Sequence, residues 1–282
     1  MLFPQNIGKQ LSLDETALSH GELYTILTNK AAKGKEGAIV AIVAGTASEF
    51  VQKHFDKLPL RLRNKVEEIT LDMAGSMNLI AKSCFPNAVL VTDRFHVQKL
   101  ALEAVQELRI KHRWEAIDKE NDDLEKAKKH RKAYRPMILQ NGDTLKQLLA
   151  RSRYVLYKKE KSWTENQKIR AKLLFELYPD LFEAYRLSQK LSWIFEQKEG
   201  KIYGYTRLAQ WHEQVAKSGF KSFNTLSRTI MNHYKTILNY FDNRSTNASA
   251  ESFNAKIKAF RTQFRGVRNI EYFLFRLTKI YA

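Results

Sequence analysis

The pattern of apolar residues changes once along this 282-residue chain, near His96. Before that point, short β-rich runs alternate with turn residues. After it, apolar residues recur at helical spacing almost without interruption as far as residue 240. The pattern therefore predicts a region of strands and helices followed by a long helical region.

The first hundred residues predict the element order β-β-β-α-β-α-β. Strands are expected at 10–14, 23–28, 38–44, 66–71 and 88–91, with helices at 46–58 and 76–83. Pro59 terminates the first of these helices, because proline lacks the N–H that a helix interior needs. Further helices are expected across 119–135, 165–199, 250–262 and 270–280, with a break rich in capping residues at 242–249.

The net charge of +18, from 48 Lys and Arg against 30 Asp and Glu, is unevenly distributed. Residues 1–100 hold 12 basic and 10 acidic side chains, which leaves 36 and 20 for residues 101–282. Charge concentrated in one region is typical of polyanion binding, and we favour nucleic acid over membrane because the basic stretches lack a strongly apolar face. For any single run, such as 126–132, a solvated face is the alternative.

Composition excludes several classes of protein. A hydrophobic content of 44% indicates a folded chain rather than a disordered basic tail. The single cysteine, Cys84, excludes an intramolecular disulfide and a cysteine-based zinc site within this sequence. There is no signal-like apolar segment at the N-terminus and no apolar run near the roughly 18 residues of a membrane span, so we expect a soluble, cytoplasmic protein.

Three carboxylates are notable for their positions in the predicted elements. Asp14 ends the first strand, Asp72 ends the fourth, and Glu251 begins a helix far downstream. Carboxylates placed in this way are able to converge on Mg²⁺, and two ions about 4 Å apart would stabilise an in-line displacement at phosphorus. Taken singly, each has a structural alternative: a turn residue, a helix cap or a solvated side chain.

The helix that carries Glu251 has two distinct faces. Phe253, Ile257 and Phe260 form an apolar stripe, whereas Glu251 and Asn254 lie on the opposite face. The spacing shows that Glu251 is outside the core, and leaves open whether it faces water or a substrate.

Three sequence blocks occur in order, with the helical region between the second and the third. They read LSLDETAL, ITLDMAGSMNLIAKSCFPNAVLVTDRFHVQKL and NRSTNASAESFNAKIKAFRTQFRGVRNIEYFLFRL. Together they resemble the RNase H-like DDE transposases of bacterial insertion sequences, specifically the ISL3 branch, and the resemblance covers nearly the whole chain. The E-x-x-N-x-K-I-K core of that branch matches residues 251–258.

The resemblance implies roles for individual residues. Asp14, Asp72 and Glu251 match the catalytic, metal-binding triad. Asp93 and His96 match a D-x-x-H signature and are expected to be supporting residues. In the family's sheet the first and fourth strands are neighbours, which places Asp14 beside Asp72 and Asp93 one strand further out. Asn254 is also assigned a supporting role.

The resemblance also implies a fold and an activity. The fold is α/β, an RNase H-like mixed five-stranded sheet with flanking helices, interrupted by a large all-helical insertion. The expected parts are a first core segment at 1–96, the insertion at 97–240 and the C-terminal core helices at 241–282. The activity is metal-dependent DNA cleavage at transposon ends and strand transfer into target DNA, with two Mg²⁺ ions and Mn²⁺ as a substitute. The alternatives are a non-catalytic DNA-binding remnant and a structure-selective nuclease of the same fold.

Basic and aromatic residues outside the triad are candidates for DNA contact. Trp163, Trp193 and Trp211 lie in the basic helical region, and for each of them packing in the core is the alternative to stacking on a base. Arg265 and Arg268 lie in the turn after the helix that carries Glu251, and a solvated turn is their alternative. The predicted DNA-binding residues are Lys158, Lys159, Lys161, Trp163, Lys256, Lys258, Arg265 and Arg268.

The sequence departs from the family pattern at its N-terminus. Typical members begin with a Cys-rich zinc module and a helix-turn-helix, whereas only 13 residues precede Asp14 here. We therefore expect either a truncated copy or a separate end-recognition polypeptide, and favour the separate partner because the catalytic blocks look undamaged. Other expected partners are transposon-end and target DNA and further copies of the chain on that DNA, with a nucleoid-associated location and no membrane contact.

Overall fold

The computed structural model describes residues 1–17, 22–263 and 269–282. These residues form two compact units. The first comprises Met1–His96 together with His233–Ala282, and the second comprises Val97–Asn232.

A five-stranded mixed sheet organises the first unit. Its strands are β1 (Gln10–Ala17), β2 (Leu23–Asn29), β3 (Ile39–Ala44), β4 (Glu68–Leu71) and β5 (Val89–Thr92), in the order β3-β2-β1-β4-β5. β2 is antiparallel to β1 and β3, whereas β4 is parallel to β1 and β5. This arrangement confirms the predicted α/β, RNase H-like fold.

Helices flank the sheet and follow it in the chain. Those before β5 are α1 (Ser48–Phe55), α2 (Leu60–Arg63) and α3 (Gly75–Cys84). The C-terminal part of the same unit supplies α11 (Tyr234–Leu238), α12 (Tyr240–Asn243), α13 (Ala248–Gln263) and α14 (Ile270–Tyr281). The predicted element order of the first hundred residues is confirmed, with the short α2 added after Pro59.

The second unit is helical throughout its regular structure. Its helices are α4 (Arg94–Lys129, which starts in the first unit), α5 (Leu145–Arg151), α6 (Arg153–Tyr157), α7 (Glu165–Leu177), α8 (Pro179–Glu196), α9 (Lys201–Ser218) and α10 (Lys221–Asn232).

Two predicted helices of this unit have different bounds in the structure. The helix expected across 119–135 ends at Lys129, because Arg131 adopts the left-handed conformation with φ of 52°. The helix expected across 165–199 is two helices, because Pro179 begins a new one instead of continuing the first.

The two faces of the sheet differ in chemistry. On one face, Leu11, Leu13, Ile69 and Leu71 join a buried apolar cluster with residues of α1 and α3. Successive side chains of a strand point to opposite faces, so Ser12 and Thr70 lie on the other face, where both are fully buried. We call the face bearing Ser12, Thr28, Glu68 and Thr70 the polar face.

Over β2 and β3, the same side of the sheet is covered by the C-terminal helices. Ile26 and Ile42 pack in one buried cluster with Phe253 of α13 and Phe273 of α14. This packing fixes α13 against the sheet, and α13 also contacts β1.

Candidate active site

Asp14 and Asp72 lie at adjacent positions of the sheet. Ser12 of β1 pairs with Thr70 of β4, so each aspartate follows its paired residue by two positions. The negative charge of Asp72 raises the pKa of Asp14, which places the two carboxyl groups within electrostatic reach of each other. β1 continues past Asp14 to Ala17, however, because its pairing with β2 extends beyond the end of β4. Asp14 is therefore inside a strand, not at its end as the sequence suggested.

Hydrogen bonds hold both carboxyl groups in place. The Asp14 oxygens accept bonds from the Glu15 backbone N–H at 2.8 Å and from Asn254 Nδ2 at 2.7 Å. The Ala74 N–H donates to Asp72 Oδ1 at 2.8 Å, just before α3 begins. Burial is the main cause that raises the pKa of Asp14; the Glu15 N–H, His96 and Asn254 act in the opposite direction.

Glu15 is a nearby carboxylate that is not among the residues predicted for the site. Burial raises its pKa, and the charges of Asp72 and Asp14 raise it further. Its position beside Asp14 in the sequence was the available signal. Strand alternation argues against a shared face for neighbours, so the signal was weak.

α13 presents Glu251 and Asn254 on one side. Residues three apart on a helix are neighbours on its surface, and Phe253 and Ile257 anchor the opposite side in the core. The bond from Asn254 to Asp14 ties this helix to β1. The predicted two-faced helix is therefore present, and the face bearing Glu251 is directed toward the site.

Glu251 lies near Asp93 and His96. One ligand atom from each of these three residues lies within 4.8 Å of the others. Among the described residues, this is the group of His, Cys, Asp or Glu side chains that is spaced closely enough to hold a metal ion. Asp93 follows β5 and is fully buried; the Phe95 N–H donates to its Oδ1 at 3.2 Å. Its second oxygen, Oδ2, is buried without a hydrogen-bond partner in the described part of the chain.

The electrostatics of this group centre on His96. Burial raises the pKa of Asp93 and of Glu251, and the negative charge of Asp93 raises that of Glu251 further. The His96 imidazole lowers the pKa of both, as it does for Asp14. The charge of His96 therefore acts on Asp14 as well as on Asp93 and Glu251.

The donor set fits divalent ions. Carboxylate oxygens are the ligands that Mg²⁺ and Mn²⁺ take in proteins, and imidazole is a common ligand for first-row transition metals. The charge of Asp72 raises the pKa of Asp14 and of Glu15, and the charge of Asp93 raises the pKa of Glu251. A cation bound among these carboxylates, next to the unpartnered Asp93 oxygen, would relieve this electrostatic cost.

The predicted DNA-binding residues near α13 differ in their surroundings. Lys256 Nζ donates to the backbone oxygen of Gly34 at 2.9 Å, so it is partly engaged within the protein. Lys258 is exposed on α13. Arg265 and Arg268 lie outside the described residues.

In the second unit, Trp163 is part of an aromatic cluster. Its ring packs against Phe175 and Tyr185, and its Nε1 donates to the backbone oxygen of Val155 at 2.9 Å. These contacts favour the packing alternative for Trp163. Trp211 is buried, whereas Trp193 is 43% exposed and lies beneath the Arg207 guanidinium.

The neighbouring lysines of the second unit also differ. Lys158 donates a long hydrogen bond to Gln167 at 3.4 Å, Lys159 is paired with Glu196, and Lys161 is exposed on the surface. Lys161 and Lys158 therefore have the most freedom to meet a phosphate.

None of the described helices is long and apolar enough to cross a membrane.

Comparison with known proteins identifies the family. The family model for ISL3-type DDE transposases, described as transposase, matches residues 11–277. The transposase for insertion sequence element IS1001 of Bordetella parapertussis is 22% identical over 271 residues, which is 95% of this chain and 59% of that protein. The transposase for insertion sequence element IS1557 of Mycobacterium tuberculosis is 24% identical over 256 residues, which is 89% of this chain and 55% of that protein.

The chain spans somewhat more than half the length of these curated relatives. No solved structure shows a significant match to it. The family match extends across nearly all of the sequence and includes every block on which the resemblance was based. The chain therefore belongs to the ISL3-type family of DDE transposases.

Proposed function

We propose that this chain carries the DNA-cleaving and strand-transferring centre of a transposase. The observation that supports the proposal best is the convergence of Asp14 and Asp72 on neighbouring strands, with α13 bonded to Asp14 through Asn254. The first unit would be the catalytic core, and the second, Val97–Asn232, would be the inserted helical domain.

Asp14, Asp72 and Glu251 would hold the divalent ions. When bound, such ions activate an attacking oxygen and stabilise the leaving oxygen of an in-line displacement at phosphorus. Asp14 is suited to this role because its position is fixed by β1 and by two hydrogen bonds. Asn254 would position the Asp14 carboxylate, and the Ala74 N–H would position Asp72.

Basic residues of both units would bind the DNA backbone. A surplus of basic side chains in residues 101–282 suits neutralisation of phosphates, a contribution that weakens as salt is raised. Phosphate contacts give affinity without reading sequence, so recognition of the transposon ends would require a further module or partner. The curated relatives are longer than this chain and have room for such a module. We also propose that the active form is an assembly of several copies on paired ends.

Two alternatives make different predictions. A non-catalytic remnant would bind DNA regardless of Mg²⁺ and of the three carboxylates. A structure-selective nuclease would cleave DNA but would not join a pre-cut end to a target.

Replacement of Asp72 by Asn tests the proposal. The assay is Mg²⁺-dependent cleavage of a plasmid carrying the terminal sequences of the element, followed by transfer of pre-cut ends into a second plasmid. Loss of the metal-binding carboxylate is expected to cost several kcal/mol of transition-state stabilisation, a decrease of about a thousandfold or more in cleavage rate. DNA binding, measured by fluorescence anisotropy with Ca²⁺, should be retained.

The matched control is Glu49→Gln, which removes an exposed carboxylate from α1 and should leave both assays unchanged. Cleavage by Asp72→Asn at more than about a tenth of the wild-type rate would overturn the assignment. Cleavage without strand transfer by the wild-type protein would favour the nuclease.

A further inference from the structure

The group formed by Asp93, His96 and Glu251 differs in chemistry from the pair formed by Asp14 and Asp72. The pair offers carboxylate oxygens, whereas the group adds an imidazole nitrogen. Mg²⁺ is a hard ion that prefers oxygen ligands, and imidazole is better suited to first-row transition metals. The two positions therefore have different intrinsic preferences for cations.

The three ligands of the group come from two segments of the chain: Asp93 and His96 lie three residues apart after β5, and Glu251 lies on α13. Asp93 follows β5, and its backbone N–H donates to the Leu71 oxygen at 2.9 Å, which fixes it to the end of β4. His96 lies in the first turn of α4, and its backbone N–H donates to the backbone carbonyl oxygen of Asp93 at 3.2 Å. Glu251 arrives on α13, and the ligand atoms of all three then lie within 4.8 Å of one another.

The burial of Asp93 is a second, independent observation. This carboxyl group is fully buried; the Phe95 N–H donates to Oδ1 and the Asn247 backbone N–H also lowers the pKa of the group, but Oδ2 has no donor at hydrogen-bond distance among the described residues. A buried, unsatisfied carboxylate oxygen costs free energy, and native proteins rarely keep one without a function. A cation bound between Asp93 and Glu251 would satisfy that oxygen and reduce the repulsion between the two acidic groups.

We propose that Asp93, His96 and Glu251 form a cation site that takes a first-row transition-metal ion, such as Mn²⁺ or Zn²⁺, in preference to Mg²⁺. The inference deepens the proposed function, since Glu251 belongs to both. It assigns Asp93 and His96 as direct metal ligands instead of supporting residues. In this arrangement the Asp14 and Asp72 position accepts Mg²⁺, and the position at His96 gives the centre its selectivity.

Mn²⁺ alone is the probe, in the absence of DNA. Mn²⁺ is the weakest binder of the divalent first-row series, so its retention against Mg²⁺ is a stringent test. Bound Mn²⁺ is counted by electron paramagnetic resonance, and electron spin-echo envelope modulation detects a coordinated ¹⁴N nucleus. For the wild-type chain we expect a nitrogen-coupled Mn²⁺ ion that persists in a hundredfold excess of Mg²⁺.

His96→Gln should abolish the nitrogen modulation and weaken Mn²⁺ binding by at least about tenfold. His54→Gln is the matched control, since His54 lies on α1 and bonds to the Phe50 oxygen, and it should retain both signals. Glu251→Gln is the second test variant because Glu251 is exposed and its replacement leaves the core intact. It should weaken Mn²⁺ binding to a similar extent.

Asp72→Asn separates this inference from the proposed function. That variant should lose DNA cleavage yet keep the nitrogen-coupled Mn²⁺ ion. The proposed site is overturned if wild-type protein gives no nitrogen modulation, if the modulation survives in His96→Gln, or if equimolar Mg²⁺ displaces the Mn²⁺ ion.

Discussion

The two faces of the central sheet are built from the same strands but have different chemistry. On β1 and β4, Leu11, Leu13, Ile69 and Leu71 point into an apolar cluster, while alternate residues form the polar face that leads to Asp14 and Asp72. One face is closed by side-chain packing alone. The other keeps buried hydroxyl and charged groups next to the candidate active site. Because side chains alternate between the two faces, the apolar cluster lies on the side of β1 and β4 opposite the carboxylates and holds these strands rigidly in place.

The largest loss of stability is expected from a substitution in the apolar cluster on the apolar face of the sheet. Phe55 of α1 is fully buried in the apolar cluster. Phe55→Ala leaves a cavity and should lower the free energy of unfolding by about 3–5 kcal/mol, measured by urea denaturation. Phe50→Ala on the same helix is the matched control: Phe50 is 47% exposed, so its replacement should cost less than about 1 kcal/mol. Equal losses from the two variants would contradict the burial of Phe55 and the exposure of Phe50 on α1.

A somewhat smaller loss of stability is expected when the ion pair between Lys30 and Glu68 on the polar face is broken. Lys30 Nζ lies 3.3 Å from Glu68 Oε1 and donates to Thr70 Oγ1 at 2.7 Å, with side-chain exposures of only 13% for Lys30 and 4% for Glu68. Asn243 of α12 donates to the second Glu68 oxygen at 3.2 Å. Glu68→Gln leaves the lysine charge buried without its partner and should cost about 3 kcal/mol in the same assay.

Glu67→Gln is the control for this change, because Glu67 pairs with Lys9 at the surface, where both side chains are more than 60% exposed. Surface pairs contribute about 0–1 kcal/mol, so the control should be nearly neutral. A neutral result for Glu68→Gln would mean that the polar face is hydrated and makes no net contribution to stability.

Much of the fold was predictable from the sequence, because its elements have strong local signals. The β-rich runs and Pro59 predicted the first five strands and α1 to within a few residues. The break at Pro179 was missed because apolar spacing continues across it, although proline itself was the available signal. The early end of α4 had no comparable signal, since its charged residues have high helix propensity and Arg131 is an unusual residue for a left-handed turn.

The site was less predictable than the fold, since its contacts join distant segments. The family resemblance implied that Asp14 and Asp72 lie on neighbouring strands, and β1 and β4 are neighbours in the sheet. The D-x-x-H spacing placed Asp93 and His96 near each other, but nothing in the sequence indicated that Glu251 would bring its ligand atom within 4.8 Å of theirs, because Glu251 lies on a separate element, α13. The Lys30 and Glu68 pair had a readable cue: the alternation of polar and apolar residues in β1 and β4 places Glu68 on the same face as Ser12 and Thr70.

The smallest expected effect is a gain in stability, from a substitution of Asp14 on the polar face. A change with this sign distinguishes the polar face from the apolar face, where substitutions are expected to destabilise the protein. Burial and the charge of Asp72 raise the pKa of Asp14 in the folded protein, so its charged form is disfavoured by folding. Asp14→Asn removes that cost, and the Asn254 amide is able to turn so that its oxygen accepts from the new amide. Below the unfolded-state pKa of about 4, variant and wild type should have similar stability; the variant should become the more stable as the pH rises through the raised pKa.

Leu13→Val, the neighbouring change on the apolar face, should lower stability by the same amount at every pH because it alters no titratable group. Urea denaturation of the three proteins from pH 3 to pH 8, without divalent ions, measures both trends. A variant that is less stable than wild type at neutral pH would mean that the hydrogen bonds to Asp14 outweigh its burial, and the polar face would then be optimised for stability in the same way as the apolar one.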